Sequence, residues 1–194
     1  MNNYNIYKHA RDMAWKFLIE NQVTELPLKL SEICRKNGYS LLLDSEATYL
    51  TDKDRGATFR RNGEWQIVLN AFDSVQVRRY TLAHEIGHIY LGHTLQDDIL
   101  GRSFGVQRTP KTPEEYQAER FAIDILAPAC VLWGLNLHTA EEIAKVCNIS
   151  VQSAALRAER MKMLYERNKF LTHTLERIVF RQFEGYLNAT KSTC

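Results

Sequence analysis

One short string constrains this chain more than any other feature: His84-Glu85-Ile86-Gly87-His88. On an α-helix, side chains four residues apart lie on one face about one turn apart, so both imidazoles can reach one metal ion. Zinc suits such a site because it takes nitrogen and oxygen ligands tetrahedrally and, in catalytic sites, leaves a position for water. Glu85 is then placed to take a proton from that water. The alternative is that two histidines merely share a helix face.

The residues on either side of the string predict the helix independently. Asp73-Ser74-Val75-Gln76 has the form of a capping box, and Gly92 is a typical helix-ending residue. We therefore expect a helix over residues 74–91. His93 would lie about 140° around a continuing helix from His88, so we expect it to act as a cap or as a partner of a ligand.

Two glutamates are the candidates for a third ligand. Glu115 and Glu119 lie four apart on the next predicted helix, which begins at Thr112-Pro113. One would bind the metal, and the other would accept a hydrogen bond from a ligand imidazole. Glu115 also stands where the capping-box glutamate of Thr112 belongs. Spacing alone leaves the choice between the two open.

The remaining pattern predicts a mostly α-helical α+β fold with a small antiparallel β-sheet. Strand patterns cover 41–43, 57–59 and 65–69, and Asn62-Gly63 predicts a hairpin between the last two. A strand edge near Thr58-Phe59 could pair with an extended peptide. Residues 94–111 resemble a long loop. Further helices are expected over residues 4–21, 28–37, 139–147, 150–167 and 170–187.

Composition excludes several classes of protein. The 194 residues hold 25 basic and 23 acidic side chains, so the chain lacks the charge of a nucleic-acid coat or a membrane-surface binder. The most apolar run, residues 125–135, is shorter than the about 20 residues that span a bilayer. The four cysteines form no C-x-x-C pair and are expected to be reduced thiols. We expect a cytoplasmic protein with no membrane partner.

Three strings, in this order and spacing, closely resemble the ImmA/IrrE family of zinc metallopeptidases: Thr81–His88, Glu115–Ala122 and Ile125-Leu126-Ala127-Pro128. The resemblance covers about residues 10–160 and implies a zincin-like metallopeptidase domain over residues 1–135. The helical pattern of the remaining chain predicts a C-terminal helical region over 136–194, with a helix-turn-helix-like segment and an extra tail helix. The resemblance also implies that His84, His88 and Glu115 bind Zn²⁺, that Glu85 is the general base, and that Glu119 supports the ligands where the family usually has Asn or Asp.

Family members cut transcriptional repressors, typically of mobile elements or of DNA-damage responses. The resemblance therefore implies a zinc-dependent endopeptidase, a hydrolase whose protein substrate is a helix-turn-helix repressor and whose action relieves repression. Its role would be in transcription regulation.

The alternative function is a non-catalytic module that binds DNA or sequesters a repressor. Residues 140–150, followed by Arg157 and Arg160, have helix-turn-helix texture and positive local charge. We expect instead a helical pair packed as part of the peptidase, so direct nucleic-acid binding stays the alternative.

Overall fold

The computed structural model describes residues 3–93, 99–104 and 112–192. The chain divides into two compact units. We call Met1–Ala10 with Lys29–Ala122 the sheet unit, and Arg11–Leu28 with Ile123–Cys194 the helical unit. These units divide the chain differently from the domains predicted at 1–135 and 136–194, which stay a prediction.

The elements of the sheet unit alternate between helices and strands. In chain order they are α2 (Leu30–Lys36), β1 (Ser40–Asp44), β2 (Asp54–Arg61), β3 (Glu64–Asn70), α3 (Val75–Tyr90) and β4 (Ile99–Phe104). Two helices belong partly to each unit, α1 (Asn3–Glu20) and α4 (Pro113–Leu126). The α+β class predicted from the sequence is confirmed.

The four-stranded sheet has the order β1-β3-β2-β4 and is mixed. The expectation of a purely antiparallel sheet is wrong in one pairing, because β1 runs parallel to β3 while β2 is antiparallel to both β3 and β4. β4 lies inside the predicted loop 94–111, of which residues 94–98 and 105–111 fall outside the described residues. Since β2 pairs on both sides, the predicted open edge at Thr58-Phe59 is also wrong.

Helix α3 packs against β2, β3 and β4 and closes the core of the sheet unit. Apolar side chains from both layers are buried there, among them Ala57, Ile67, Val68, Leu82 and Ile86. Residues from Thr81 to His88 are all buried, so this part of α3 has no exposed polar face. The histidine string therefore lies on the covered side of the sheet.

The two ends of α3 have different caps. At the start, the Ser74 hydroxyl accepts a hydrogen bond from the Val77 N–H at 3.3 Å. Ser74 is thus the cap, and the predicted capping box with Gln76 does not form because Val77 occupies the matching position. At the end, Gly92 adopts φ +70°, a left-handed conformation that glycine takes without strain, and the helix stops there.

The described residues of the helical unit form five further helices: α5 (Ala129–Gly134), α6 (Ala140–Cys147), α7 (Val151–Glu166), α8 (Thr174–Gln182) and α9 (Glu184–Lys191). The tail helix predicted over 170–187 is wrong in detail, because the chain breaks at Phe183 into α8 and α9. Val179, Phe183 and Leu187 form its buried stripe. Among the described residues, no helix combines the length and apolarity that crossing a bilayer requires.

Candidate metal centre

Two helices of the sheet unit bring three potential ligands together. His84 and His88 project from α3, and Glu115 projects from the first turn of α4. The carboxylate oxygens of Glu115 lie 3.3 Å from Nε2 of His84 and 3.4 Å from Nε2 of His88. The two Nε2 atoms are 2.9 Å apart. Within the described part of the chain, these residues are the group whose ligand atoms could hold a metal ion, all within 4.8 Å of one another.

The spacing of these atoms fits a tetrahedral ion. Two ligand atoms bound at about 2.0–2.1 Å to a tetrahedral zinc ion are separated by about 3.3 Å. Both histidine–glutamate distances already have this value, and the two imidazoles need to separate by about 0.4 Å. Two nitrogens and one carboxylate are also the donor set of one class of catalytic zinc site. The residues present therefore fit a zinc ion.

The charges at this centre support one another. Burial disfavours ionised Glu115, but hydrogen bonds from His84 and His88 and their charges outweigh burial and hold the pKa of Glu115 well below its usual range. Burial likewise disfavours charged His84, yet the hydrogen bond with Glu115 and the surrounding carboxylates raise the pKa of His84. Glu115 is thus ionised and offers a negative charge that a cation could share with the two imidazoles.

Glu115 contacts the cap of α4 with its backbone and the candidate metal centre with its side chain. Its backbone N–H donates to the Thr112 hydroxyl at 3.3 Å, so Thr112 caps α4 as predicted. Its carboxylate faces the two histidines instead of the cap. Glu119 lies one turn further along α4, and its charge contributes to raising the pKa of His84. The predicted hydrogen bond from a ligand imidazole to the carboxylate of Glu119 stays a prediction.

Glu85 lies directly after His84 and is completely buried. Its Oε2 accepts a 2.7 Å hydrogen bond from the hydroxyl of Thr58 on β2, which is also completely buried. Strand β2 thereby holds one oxygen of the candidate base. The sequence analysis placed Thr58 on a strand but missed this role, because the contact joins residues 27 positions apart.

His93 contacts His88, as expected for the partner of a ligand. The Nδ1 atoms of the two rings are 2.9 Å apart, and Nε2 of His93 lies 2.9 Å from Oε1 of Gln117 on α4. Burial is the main reason that the pKa of His93 lies below its ordinary value, since it outweighs the opposing hydrogen bond with Gln117. The sequence analysis did not single out Gln117. Its position between Glu115 and Glu119 is the sequence signal that could have identified it.

Tyr80 also escaped the sequence analysis. It precedes His84 by four residues and so shares the helical stripe of the two histidines. Burial, together with the charges of Glu119 and Glu115, raises the pKa of Tyr80, so its hydroxyl stays protonated at neutral pH. The spacing of four residues is the signal that could have identified it.

Two helices of the helical unit, α6 and α7, cover the segment that the sequence predicts to resemble a helix-turn-helix. Thr139 and Glu142 form a capping box on α6, Asn148 takes a left-handed conformation, and Ser150 caps α7. Arg157, however, is buried and donates a 2.9 Å hydrogen bond to Asp124. Arg157 is therefore not placed to contact a nucleic-acid phosphate, and direct nucleic-acid binding by this segment stays an untested alternative.

Comparison with known proteins agrees with this geometry. Residues 41–159 match the peptidase M78 family, described as the IrrE N-terminal-like domain. The match includes both histidines, Glu85, Glu115 and the Thr58 strand. No curated protein matches the chain significantly.

Proposed function

The chain belongs to the IrrE N-terminal-like family of peptidases, and from this premise we propose that it is a zinc-dependent endopeptidase that cleaves a helix-turn-helix transcriptional repressor. The observation that carries the proposal is the convergence of His84, His88 and Glu115 beside the buried carboxylate of Glu85. A metallopeptidase acts on a protein substrate. The repressor is supported by the resemblance of the sequence motifs, and it implies a cytoplasmic site of action.

The three ligands would contribute two nitrogen atoms and one carboxylate to binding the ion. His84 and His88 offer the Nε2 atoms that face each other across the site, and Glu115 supplies the negative charge from α4. Zinc, when bound, supplies an electrophile that activates water for attack on a carbonyl carbon. All three side chains are held by helices, so the arrangement does not have to form when substrate arrives.

Glu85 would carry the proton. Its carboxylate accepts a proton from the attacking water and then donates it to the nitrogen of the departing amine, so that the peptide bond breaks without releasing a strongly basic anion. The hydrogen bond from Thr58 to Oε2 would hold the carboxylate of Glu85 in place for this transfer. Burial of Glu85 would exclude competing bulk water. Repression would be relieved when the cut separates parts of the repressor that must act together.

The deciding experiment compares Glu85→Gln with Glu64→Gln, the same substitution at an exposed carboxylate. Zinc content is measured by elemental analysis, and mass spectrometry measures cleavage of any helix-turn-helix repressor that a neighbouring gene encodes. We expect Glu85→Gln to keep zinc and to lose about 10²- to 10⁴-fold in turnover, since a general base is worth that much. Glu64→Gln should match the wild type.

Two results would overturn the proposal. One is a wild-type protein that takes up no zinc, and the other is wild-type cleavage by Glu85→Gln. If Glu85→Gln still releases the repressor from its operator without cutting it, the protein acts by sequestration, the alternative function.

A further inference from the structure

Four side chains form a continuous polar chain that ends at the candidate metal centre. Oε1 of Gln117 lies 2.9 Å from Nε2 of His93, and Nδ1 of His93 lies 2.9 Å from Nδ1 of His88. Nε2 of His88 in turn lies 2.9 Å from Nε2 of His84. We call Gln117, His93 and His88 the imidazole relay. Of these three residues, the mechanism proposed above uses His88 alone.

The amide end of the relay dictates where one proton sits. An amide oxygen only accepts, so the contact with Gln117 requires the hydrogen of His93 on Nε2. A neutral imidazole with hydrogen on Nε2 has a bare Nδ1, which accepts. The facing Nδ1 of His88 must then carry hydrogen and donate.

The metal end gives the same placement. A histidine that binds a metal through Nε2 keeps its hydrogen on Nδ1 and usually donates it to a fixed acceptor. For His88, the atom facing its Nδ1 is Nδ1 of His93. The two ends of the relay therefore agree that Nδ1 of His88 carries hydrogen, while Nε2 of the same ring faces the carboxylate of Glu115 at 3.4 Å.

The ring of His93 is not needed to end the helix. The backbone N–H of His93 already donates to the carbonyl of His88 at 3.1 Å, and that bond closes the turn. The left-handed Gly92 reverses the chain just before it, which returns the ring to His88 rather than leaving it about 140° away on a continuing helix. The side chain is thus free to serve the ligand.

We propose that Gln117 and His93 are positioning residues that lock His88 in its Nδ1–H tautomer and so direct the Nε2 lone pair into the metal site. This inference deepens the proposed function and rests on it. Helix α4 then contributes twice to the centre, through the carboxylate of Glu115 and, two residues later, through the amide of Gln117. Docking of α4 would set a ligand and the tautomer of another ligand in one step.

The test uses the full chain with ¹⁵N-labelled histidine, in His93→Phe and Gln117→Met variants. His93→Phe keeps a flat ring without nitrogens, and Gln117→Met keeps the length of the side chain without an acceptor. Gln152→Met, at an exposed glutamine of α7, is the matched control. Long-range ¹H–¹⁵N spectra of the metal-free protein report the tautomer of His88, and competition with a chelator reports the affinity for Zn²⁺.

We expect wild type and Gln152→Met to show His88 protonated on Nδ1, and both relay variants to shift it toward Nε2–H. Zinc affinity should fall by about 10- to 100-fold in both relay variants, the usual effect of removing a ligand's hydrogen-bond partner. A purely structural role would not move the tautomer. Circular dichroism checks that each variant is folded, and Gln117→Met, at a half-buried position, tests the relay if His93→Phe fails to fold.

The inference is overturned if Nδ1 of wild-type His88 carries no hydrogen, or if tautomer and affinity stay unchanged in the folded variants. A wild-type chain that binds no Zn²⁺ would refute the proposed function instead. In that case the tautomer of His88 in the metal-free protein still decides for or against the relay.

Discussion

The hydroxyl of Thr58 donates a 2.7 Å hydrogen bond to Oε2 of Glu85, and both side chains are completely buried. The bond links the central strand β2 to helix α3 at the residue that follows the first candidate ligand. A buried hydrogen bond to a charged group is worth about 1.5–3 kcal/mol, so this contact bears on both stability and the aim of the carboxylate.

Replacing Thr58 tests whether its hydrogen bond orients the carboxylate of Glu85. Thr58→Val has nearly the same shape without the hydroxyl, and we expect turnover to fall by about tenfold or more while the affinity for Zn²⁺ stays near that of wild type. Thr58→Ser keeps the donor and should retain most of the activity. Steady-state kinetics measure kcat and KM separately. A higher KM with an unchanged kcat would contradict the assignment.

Exchanging each glutamate of α4 separates the two candidate ligands. We expect Glu115→Gln to weaken Zn²⁺ binding by more than about 100-fold, since even the outer partners of ligands are worth 10- to 100-fold. Glu119→Gln keeps an oxygen acceptor, so its affinity should stay within about tenfold of wild type. Chelator competition measures both values. The reverse order would make Glu119 the ligand.

Gly87 governs how closely α3 and α4 approach. A Cβ at this position would lie 3.0 Å from Cδ1 of Phe121 and 3.3 Å from the backbone of Ala118. We expect Gly87→Ala to lower the free energy of unfolding, because overpacking costs about 1–3 kcal/mol and outweighs the about 1 kcal/mol that alanine gains in a helix. Zinc affinity should fall as well, because α4 carries Glu115.

The control for this substitution is Gly185→Ala in α9, where a Cβ would meet no atom within 4 Å. It should leave stability unchanged or raise it by up to about 1 kcal/mol. Denaturant unfolding compares the two variants. Equal stability changes at both positions would show that the contact between α3 and α4 adjusts without cost.

Asp44 ties down the loop after β1 and predicts a pH dependence. Its carboxylate accepts backbone hydrogen bonds from Glu46, Thr48, Tyr49 and Leu50. Burial opposes ionisation, but these four bonds outweigh it and hold the pKa of Asp44 below its ordinary value of 3.8. The stabilisation is therefore present above about pH 4 and is lost as the pH falls through the lowered pKa of the folded state.

We accordingly expect Asp44→Asn to be less stable than wild type at pH 7, and the difference to shrink below about pH 4 as Asp44 protonates in the wild type. Asp52→Asn, at an exposed carboxylate in the same loop, is the control and should change little. Thermal unfolding from pH 7 to pH 3 measures the effect. A difference that does not depend on pH would show that the charge of Asp44 contributes nothing.

Local physics accounts for the helix that carries the histidines. Its predicted span of 74–91 differs by one residue at each end from the observed Val75–Tyr90, because Ser74 and Gly92 act within one turn of the ends they terminate. The spacing of His84 and His88 needs nothing beyond that helix to place both rings on one face. The hairpin between β2 and β3 was predictable for the same reason, since Asn62 and Gly63 both take positive φ in the turn.

The order of the strands was not predictable in this way. The parallel alignment of β1 with β3, and the pairing of β2 on both sides, depend on which strands meet after chain reversals that carry no turn signal of their own. The break at Phe183 was not predictable either, because Val179, Phe183 and Leu187 keep the four-residue spacing of one continuous helix across it.

The same distinction runs through the candidate site. A five-residue string was enough to identify His84, Glu85 and His88, because a helix converts sequence spacing directly into geometry. Glu115 and Glu119 share a face of α4, so their spacing could not separate them, and the docking of α4 against Gly87 placed the carboxylate of Glu115 against both histidines. The contacts of Thr58 with Glu85 and of His93 with Gln117 became visible only in the folded chain, because hydrogen bonds between distant segments depend on packing that no local pattern encodes.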